Sequence, residues 1–308
     1  MEEVREKKQQ IWRNPIRNIF SLVTITLLVA APLSCAIAAD KVLSIQFSKK
    51  NQVKTGLTWI RFKPKLLLAG DLQRTASQPT VLKNRPRQVT GHVRPVEDQI
   101  VRHASPYNTV GKLFFTHNTG EIASCSGAFA GAQQVIVTAA HCVMNSEGDW
   151  NSDFLFIKGY GSPEQEMFAI ECIALPEKWG DLQGEASLDF DYAFLRTKRL
   201  NQENSWEISD QPPPEKLTIV GYSDKYYDGK HMIEVVVDTL STLPFRIGST
   251  NNSLGKGSSG SPWFGEKFVH SVSSHYLNKR SDVMWGPRMS DETQSVLAYT
   301  QNHCTPSL

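Results

Sequence analysis

From residue 106 onward, short apolar runs alternate with clusters of Gly, Asn, Asp and Pro. Runs at 112–115, 122–130, 135–138, 154–158, 168–175 and 192–197 read as six strands, and after Pro212-Pro213-Pro214 a second group follows at 217–222, 232–237, 242–247, 261–264, 268–273 and 283–285. Many short strands with regular turn signals predict a closed or sandwiched all-β architecture. One stretch breaks the pattern. Residues 291–303 read as a helix, with Ser290 placed to cap it and Asp291 and Glu292 in the first turn, where the helix dipole favours negative charge.

The first 95 residues follow a different pattern. Residues 19–39 are almost wholly apolar and end in Ala36-Ile37-Ala38-Ala39, behind a lead in which Arg5, Lys7, Lys8, Arg13 and Arg17 outnumber the acids. This predicts a secretory signal over 1–39, removed on export, with Pro32 and the small-residue ending favouring cleavage. The alternative is an uncleaved membrane anchor, since the apolar run is near bilayer-spanning length. Either reading places the rest of the chain outside the cytoplasm, secreted or periplasmic.

Charge separates the remainder into two parts. The net charge of +2 hides an asymmetry: residues 40–94 hold 12 Lys/Arg against 2 Asp/Glu, whereas 95–308 hold 16 against 26. Residues 78–95 carry three prolines and little periodicity, which reads as an exposed linker. The expected organisation is therefore a basic prosegment and linker over 40–95 and a folded body over 96–308. The prosegment's charge suits docking on the acidic body and holding it inactive; an uninvolved tether is the alternative. No nucleotide-binding glycine loop occurs, and no nucleic-acid partner is expected. Of five cysteines, Cys35 lies in the apolar leader, which leaves the even set Cys125, Cys142, Cys172 and Cys304, and export permits disulfides. No Cys-x-x-Cys or His-x-x-x-His spacing is present, so no metal or other cofactor is expected.

Three stretches carry chemistry. The β-branched run Val135-Ile136-Val137 suits a buried strand, and Ala139-Ala140 lets the chain turn tightly before presenting His141. A histidine at a rigid strand end can act as a base. Downstream, Asp189 and Asp191 precede the strand-like Tyr192-Ala193-Phe194-Leu195, and Gly257-Ser258-Ser259-Gly260-Ser261-Pro262 frames a serine between glycines. Base, base-orienting acid and nucleophile thus occur in the order His, Asp, Ser, one of the orders a hydrolase triad takes. The glycine frame centres on Ser259, and Asp191 directly precedes the apolar run, so the assignment is His141, Asp191 and Ser259.

Thr-Ala-Ala-His-Cys, Asp-Tyr-Ala-Phe-Leu and Gly-x-Ser-Gly-Ser-Pro resemble the three signatures of the chymotrypsin/trypsin-type serine endopeptidases. The Gly-Ser-Pro ending resembles the bacterial branch that includes the glutamyl endopeptidases. Val96 to Leu113 is similar to the start of mature enzymes in that branch, and Gly286-Pro287-Arg288-Met289-Ser290 to their lead-in to the final helix. The resemblance implies two six-stranded antiparallel Greek-key barrels with a C-terminal helix. It further implies hydrolysis of polypeptide substrates through an acyl-enzyme, and an oxyanion hole from the N–H groups of Gly257 and Ser259. Cys125 and Cys142 match the family pair that brackets the histidine loop, which leaves Cys172 and Cys304 either paired by elimination or as two free thiols.

Departures from the family pattern matter as well. Ser258 stands before the nucleophile where trypsins have the aspartate that a new N-terminus pairs with, so activation must work differently. Ser253, six before the nucleophile, falls at the base of the specificity pocket and supplies no acid for Lys or Arg side chains. The branch's pocket histidine aligns with Val272, followed by Ser273, Ser274 and His275; Lys256, His275 or His270, one register away, could meet an acidic side chain instead. A catalytically silent homologue that uses the double barrel to bind a partner is the alternative function, although all three triad residues are present.

Overall fold

A computed structural model describes residues 42–46, 91–96, 103–182, 184–203, 205–276 and 283–304. The chain divides into the units Met1–Ile37 and Ala38–Leu308, and everything described falls in the second. The expected leader, with Cys35, and most of the basic segment lie outside the described residues.

The first sheet comprises β1 (Val42–Gln46), β3 (Val110–Thr116), β4 (Ile122–Phe129), β5 (Val135–Thr138), β6 (Ser152–Lys158), β7 (Glu166–Pro176) and β8 (Ala193–Thr197). Its order is β1-β7-β6-β3-β4-β5-β8, and a further β7–β8 pairing closes six of the strands into a barrel. Here β1, from the basic segment, adds antiparallel to the edge of β7, with Val42 opposite Pro176 and Gln46 opposite Cys172.

All four residues of β5 are buried, and alternation assigns them to two cores. Ile136 faces the barrel interior with Leu113, Phe129, Phe156 and Phe168, whereas Val135 and Val137 join a separate cluster with Phe194, Val220, Tyr222 and Phe264, where the two lobes meet. A strand packed on both faces favours apolar β-branched side chains, and the one polar residue, Thr138, satisfies its hydroxyl by donating to Ser126 O at 2.8 Å. Inside the barrel, the Phe129 ring stands edge-on to Phe156 and Phe168 at centroid distances of 5.5 and 4.9 Å.

The second sheet holds β2 (Arg94–Pro95), β9 (Glu207–Ile208), β10 (Lys216–Gly221), β11 (Ile233–Thr242), β12 (Arg246–Thr250), β13 (Pro262–Gly265), β14 (Phe268–Val272) and β15 (Met284–Pro287). The order is β15-β12-β11-β10-β13-β14-β9, with β2 on β11. This sheet curls until His275, just past β14, exchanges backbone hydrogen bonds with Trp285 of β15 at 3.1 and 2.8 Å. Its interior holds Leu217, Ile219, Val235, Val237, Ile247 and Trp263.

The chain is thus mostly β: a closed six-stranded barrel, a second curled sheet and a C-terminal helix, α2 (Asp291–His303). Four details differ from expectation. The strand expected at 242–247 is a hairpin turn instead: β11 runs to Thr242 and β12 begins at Arg246, because Pro244 has no N–H for a ladder, and Leu243 N–H closes the turn onto Arg246 O at 2.8 Å. The β9–β14 pair is parallel, not antiparallel. A short helix, α1 (Glu177–Asp181), and a 3-10 segment at Gly184–Phe190 fill the connection to β8, where no element was expected. Finally, the end of the expected linker forms a strand on the second sheet, with Arg94 paired to Glu234 across β2 and β11 and their side chains 2.5 Å apart.

Both cysteine pairs are bonded. Cys125–Cys142 joins β4 to the turn after β5, and Cys172–Cys304 ties β7 to the end of α2. Among the described residues no helix is long and apolar enough to cross a membrane.

Candidate active site

The end of β5 delivers the histidine. After Ala139, residues Ala140–Cys142 form one 3-10 turn, in which the small Ala140 and Cys142 side chains flanking His141 are buried. His141, whose side chain is one-third exposed, projects toward the start of β8. There Asp191 is fully buried and uses both carboxylate oxygens on the histidine: Oδ1 accepts the His141 backbone N–H at 2.9 Å, and Oδ2 meets Nδ1 at 2.8 Å. With Nδ1 carrying the proton, Nε2 is left as the free lone pair of a base.

Burial alone would disfavour charge on both partners. For His141 the Asp191 charge and hydrogen bond outweigh that penalty and hold the imidazole above its ordinary value. For Asp191, burial is outweighed by the charge and hydrogen bond of His141, the Ser274 hydroxyl and the His141 backbone N–H, which keep it below the usual carboxylate range. The rival acid is committed elsewhere. Asp189, 17% exposed, pairs with Nε of Arg246, 14% exposed, in a short ion pair, so it is not free to orient an imidazole.

Ser259 lies in a turn locked from both lobes. Its carbonyl accepts Ser126 N–H from β4 at 2.7 Å, and the next amide, Gly260, donates to Ser273 O at 2.7 Å. Gly260 has φ +78°, and a Cβ there would sit 2.2 Å from Thr138 Oγ1 and 3.0 Å from Ala139 N. Only glycine permits the turn to press so closely on the strand end that presents His141. Gly257 also has positive φ, +83°. The N–H groups of Gly257 and Ser259 donate to no acceptor among the described residues. Nor does a hydrogen bond join Ser259 Oγ to His141 among those residues; Ser259 is half-buried and its hydroxyl is uncommitted.

Ser274 has a role that the sequence did not specify. Its Oγ donates to Asp191 Oδ2 and lies 2.8 Å from His275 Nδ1. The remaining candidates divide by environment. Ser273 is fully buried and accepts the Trp263 Nε1–H bond at 3.0 Å, so its side chain belongs to the interior of the second lobe and not to a substrate surface. Ser253, 7% exposed, has its hydroxyl 3.2 Å from Tyr226 Oη and its carbonyl 2.9 Å from Lys225 Nζ. Lys256 is exposed, and its carbonyl accepts from Asp224 N–H. Val272 is buried in the interlobe cluster, and His270 packs against Phe268 and Gly265 in the second lobe. Tyr226, Lys225 and Asp224 were missed by sequence reasoning, because their loop has no strand periodicity and no motif.

Beside the triad candidates lies a cleft of about 440 Å³, lined by His141, Trp179, Leu188, Asp191, Ser274 and His275 among others. His141 also lies within 4.8 Å of the Cys125 and Cys142 sulfurs, but these are bonded to each other and hold no thiolate for a metal.

An oriented base, a buried acid and a glycine-framed serine at the junction of two β lobes make up the constellation. Residues 125–268 match the family model described as a trypsin-like peptidase domain. Across those residues the chain is similar to trypsin-like peptidases. Solved structures with the same fold include protease Anisep from Arthrobacter nicotinovorans, 24% identical, covering 66% of this chain and 98% of that one at a TM-score of 0.55. The thermostable serine protease AL20 from an extremophilic microorganism is 22% identical and covers 63% and 98%, also at 0.55. A Glu endopeptidase, solved with MPD, is 15% identical and covers 68% and 96% at 0.55. No curated protein sequence matches the chain. The match begins at Cys125, in the strand that bears Ser126, and extends past the Ser259 turn, so it spans every triad candidate.

Proposed function

We propose that this chain is a serine endopeptidase acting through His141, Asp191 and Ser259. The observation that carries the reading is the His141–Asp191 pair, in which a buried carboxylate fixes both the backbone and the ring of one histidine. In the proposed reaction Ser259 Oγ attacks the peptide carbonyl carbon while its proton passes to His141 Nε2. The oxyanion is received by the N–H groups of Gly257 and Ser259, where such donors are each worth on the order of 100-fold or more in rate. The C–N bond then breaks as His141 returns the proton to the leaving amine, and water repeats the sequence on the acyl-enzyme.

Ser259→Ala and His141→Ala should each lower peptide hydrolysis by roughly 10⁴-fold or more, since a triad acts as a unit. An organophosphate should label wild-type protein at Ser259 and neither variant. Unlabelled wild-type protein without hydrolysis would favour a silent binding homologue instead.

Two further parts of the reading concern specificity and processing. The groups nearest Ser253 are the Lys225 ammonium and the Tyr226 hydroxyl, a neutral-to-positive floor that disfavours Lys and Arg side chains and accommodates acidic or polar ones. A peptide library cut preferentially after Lys or Arg would overturn that. Residues 40–95 are read as an exported protein's removable segment. In support, β1 covers the edge of β7, the strand that leads into α1 and the cleft-lining Trp179. Separately made 40–94 should inhibit the body at low salt, where charge attraction is least screened; no inhibition there would dismiss the docking.

A further inference from the structure

Lys112 is a buried cation that the triad does not use. It stands on β3 of the first lobe with its side chain 7% exposed, and its Nζ reaches a loop of the second lobe, residues 223–230. There it donates to Gly229 O at 2.8 Å and lies 4.0 Å from Asp224 Oδ1. The rings of Phe114 and Tyr160 cover it at 5.5 and 5.4 Å to their centroids. A desolvated ammonium is retained only where partners compensate it. Burial pulls its pKa below the ordinary lysine value and Lys230 adds to that, while the Asp224 carboxylate opposes both.

The loop that Lys112 grips touches the candidate oxyanion turn directly. A Cβ on Gly257 would fall 2.9 Å from Asp224 Oδ1 and 3.1 Å from Asp224 N, so the aspartate packs flat on that glycine. Asp224 N–H also donates to Lys256 O at 2.9 Å. In a trans peptide the C=O and N–H point in opposite directions. Fixing the Lys256 carbonyl toward Asp224 therefore turns the Gly257 N–H away from Asp224, on the opposite side of that peptide plane. From the other side, Ser126 Oγ donates to Gly257 O at 3.1 Å, which holds the next peptide as well.

We propose that Lys112 is a positioning residue for the oxyanion hole: through Gly229 and Asp224 it fixes the 256–257 peptide in the orientation that offers its N–H to the substrate. This rests on the peptidase reading above. It answers the absence of an aspartate at Ser258, because the ordering charge is built into β3 and needs no newly cut N-terminus.

The test compares wild type with Lys112→Met, which keeps most of the side chain's apolar stem and removes its charge, and with Asp224→Asn on the exposed side of the pair. In Lys112→Met, kcat should fall about 10- to 100-fold, part of what loss of an oxyanion donor costs, with KM within about twofold. A peptide aldehyde, whose adduct places an oxyanion in the hole, should lose affinity by a similar factor. Hydrogen exchange of amides in 224–230 and 256–259 should quicken while the barrel strands stay protected. Asp224→Asn should move the same readouts the same way by a smaller factor, and it decides the matter if Lys112→Met does not fold. Unchanged kcat and unchanged exchange in a folded variant would overturn the proposal. If wild type proves to have no peptidase activity, the functional reading fails, and exchange still decides whether Lys112 orders this turn.

Discussion

Ser274 Oγ donates to Oδ2 of Asp191, the same oxygen that lies 2.8 Å from Nδ1 of His141. The chain just past β14 therefore reaches across from the second lobe, one residue after the Ser273 carbonyl that anchors Gly260, to fix the acid of the first. Ser274→Ala would remove one hydrogen bond from a buried carboxylate, an effect of about 1–3 kcal/mol for a charged acceptor. Turnover should drop about tenfold with KM nearly unchanged, and Ser274→Thr should restore most of it. Equal kinetics in the alanine variant would show that the two other bonds to Asp191 suffice.

His141 must be neutral to take a proton, and its pKa is held above the ordinary 6.5 chiefly because the charge of Asp191 overcomes the effect of burial. The acid limb of kcat/KM should therefore lie above pH 6.5, with one ionisation. Replacing Asp191 by Asn removes the attraction, so the limb should move to lower pH while kcat falls by about 10⁴-fold through loss of the correct tautomer. A limb at or below the ordinary value in wild type would contradict the coupling. For stability the raised value means that the favourable contribution of charged His141 is present at low pH and is lost as pH rises through it.

Proton accounting fixes His275. Because Ser274 gives its only hydroxyl proton to Asp191, its oxygen must accept from His275 Nδ1–H, which leaves Nε2 buried without a described partner. Burial pushes this histidine down to about 4, with the Asp191 charge opposing and Arg246 reinforcing. The unfolded chain takes up this proton near pH 6.5, so folded-state stability should decline as pH falls from about 6.5 toward 4. A variant His275→Gln should show a flatter decline over that window in chemical denaturation. An NMR titration finding His275 protonated at pH 6 would refute the assignment.

The Cys125–Cys142 bond closes a loop of 17 residues around the histidine turn. Its removal by a Cys125→Ser/Cys142→Ser double change should cost about 3 kcal/mol on the chain-entropy account. For a domain of this size that is a fall in Tm of roughly 6–12 °C. Activity should fall as well, since His141 is adjacent to the bonded Cys142. A change under about 2 °C would show that the loop is already restrained by Trp179 Nε1 on Met144 O and Asn151 on Cys142 O.

Much of this was legible because the residues that make the lobes repeat a simple rule. Run 135–138 matched β5 to the residue, and 291–303 matched α2, since a doubly buried β-branched strand and a helix with acids in its first turn are local signals. The hairpin at 243–245 was misread because apolar Leu243 and Phe245 flank Pro244 and mimic a strand; both are exposed in the structure, at 44% and 54%. At the site, the histidine, the acid and the serine turn could be named from motifs. Ser274 as a brace for the acid, Arg246 as the partner of Asp189 and Asp224 beneath Gly257 could not, because each acts through a contact 33 to 83 residues away in the chain. No spacing rule encodes such contacts.

The bond from Ser126 N–H to Ser259 O makes the nucleophile turn a stitch between the lobes. A rigid-body opening of one lobe against the other would tear that stitch before any strand melted. The stitch therefore couples any parting of the lobes to displacement of the Ser259 turn. Under the peptidase reading, catalysis should be lost on heating before the β-sheet signal.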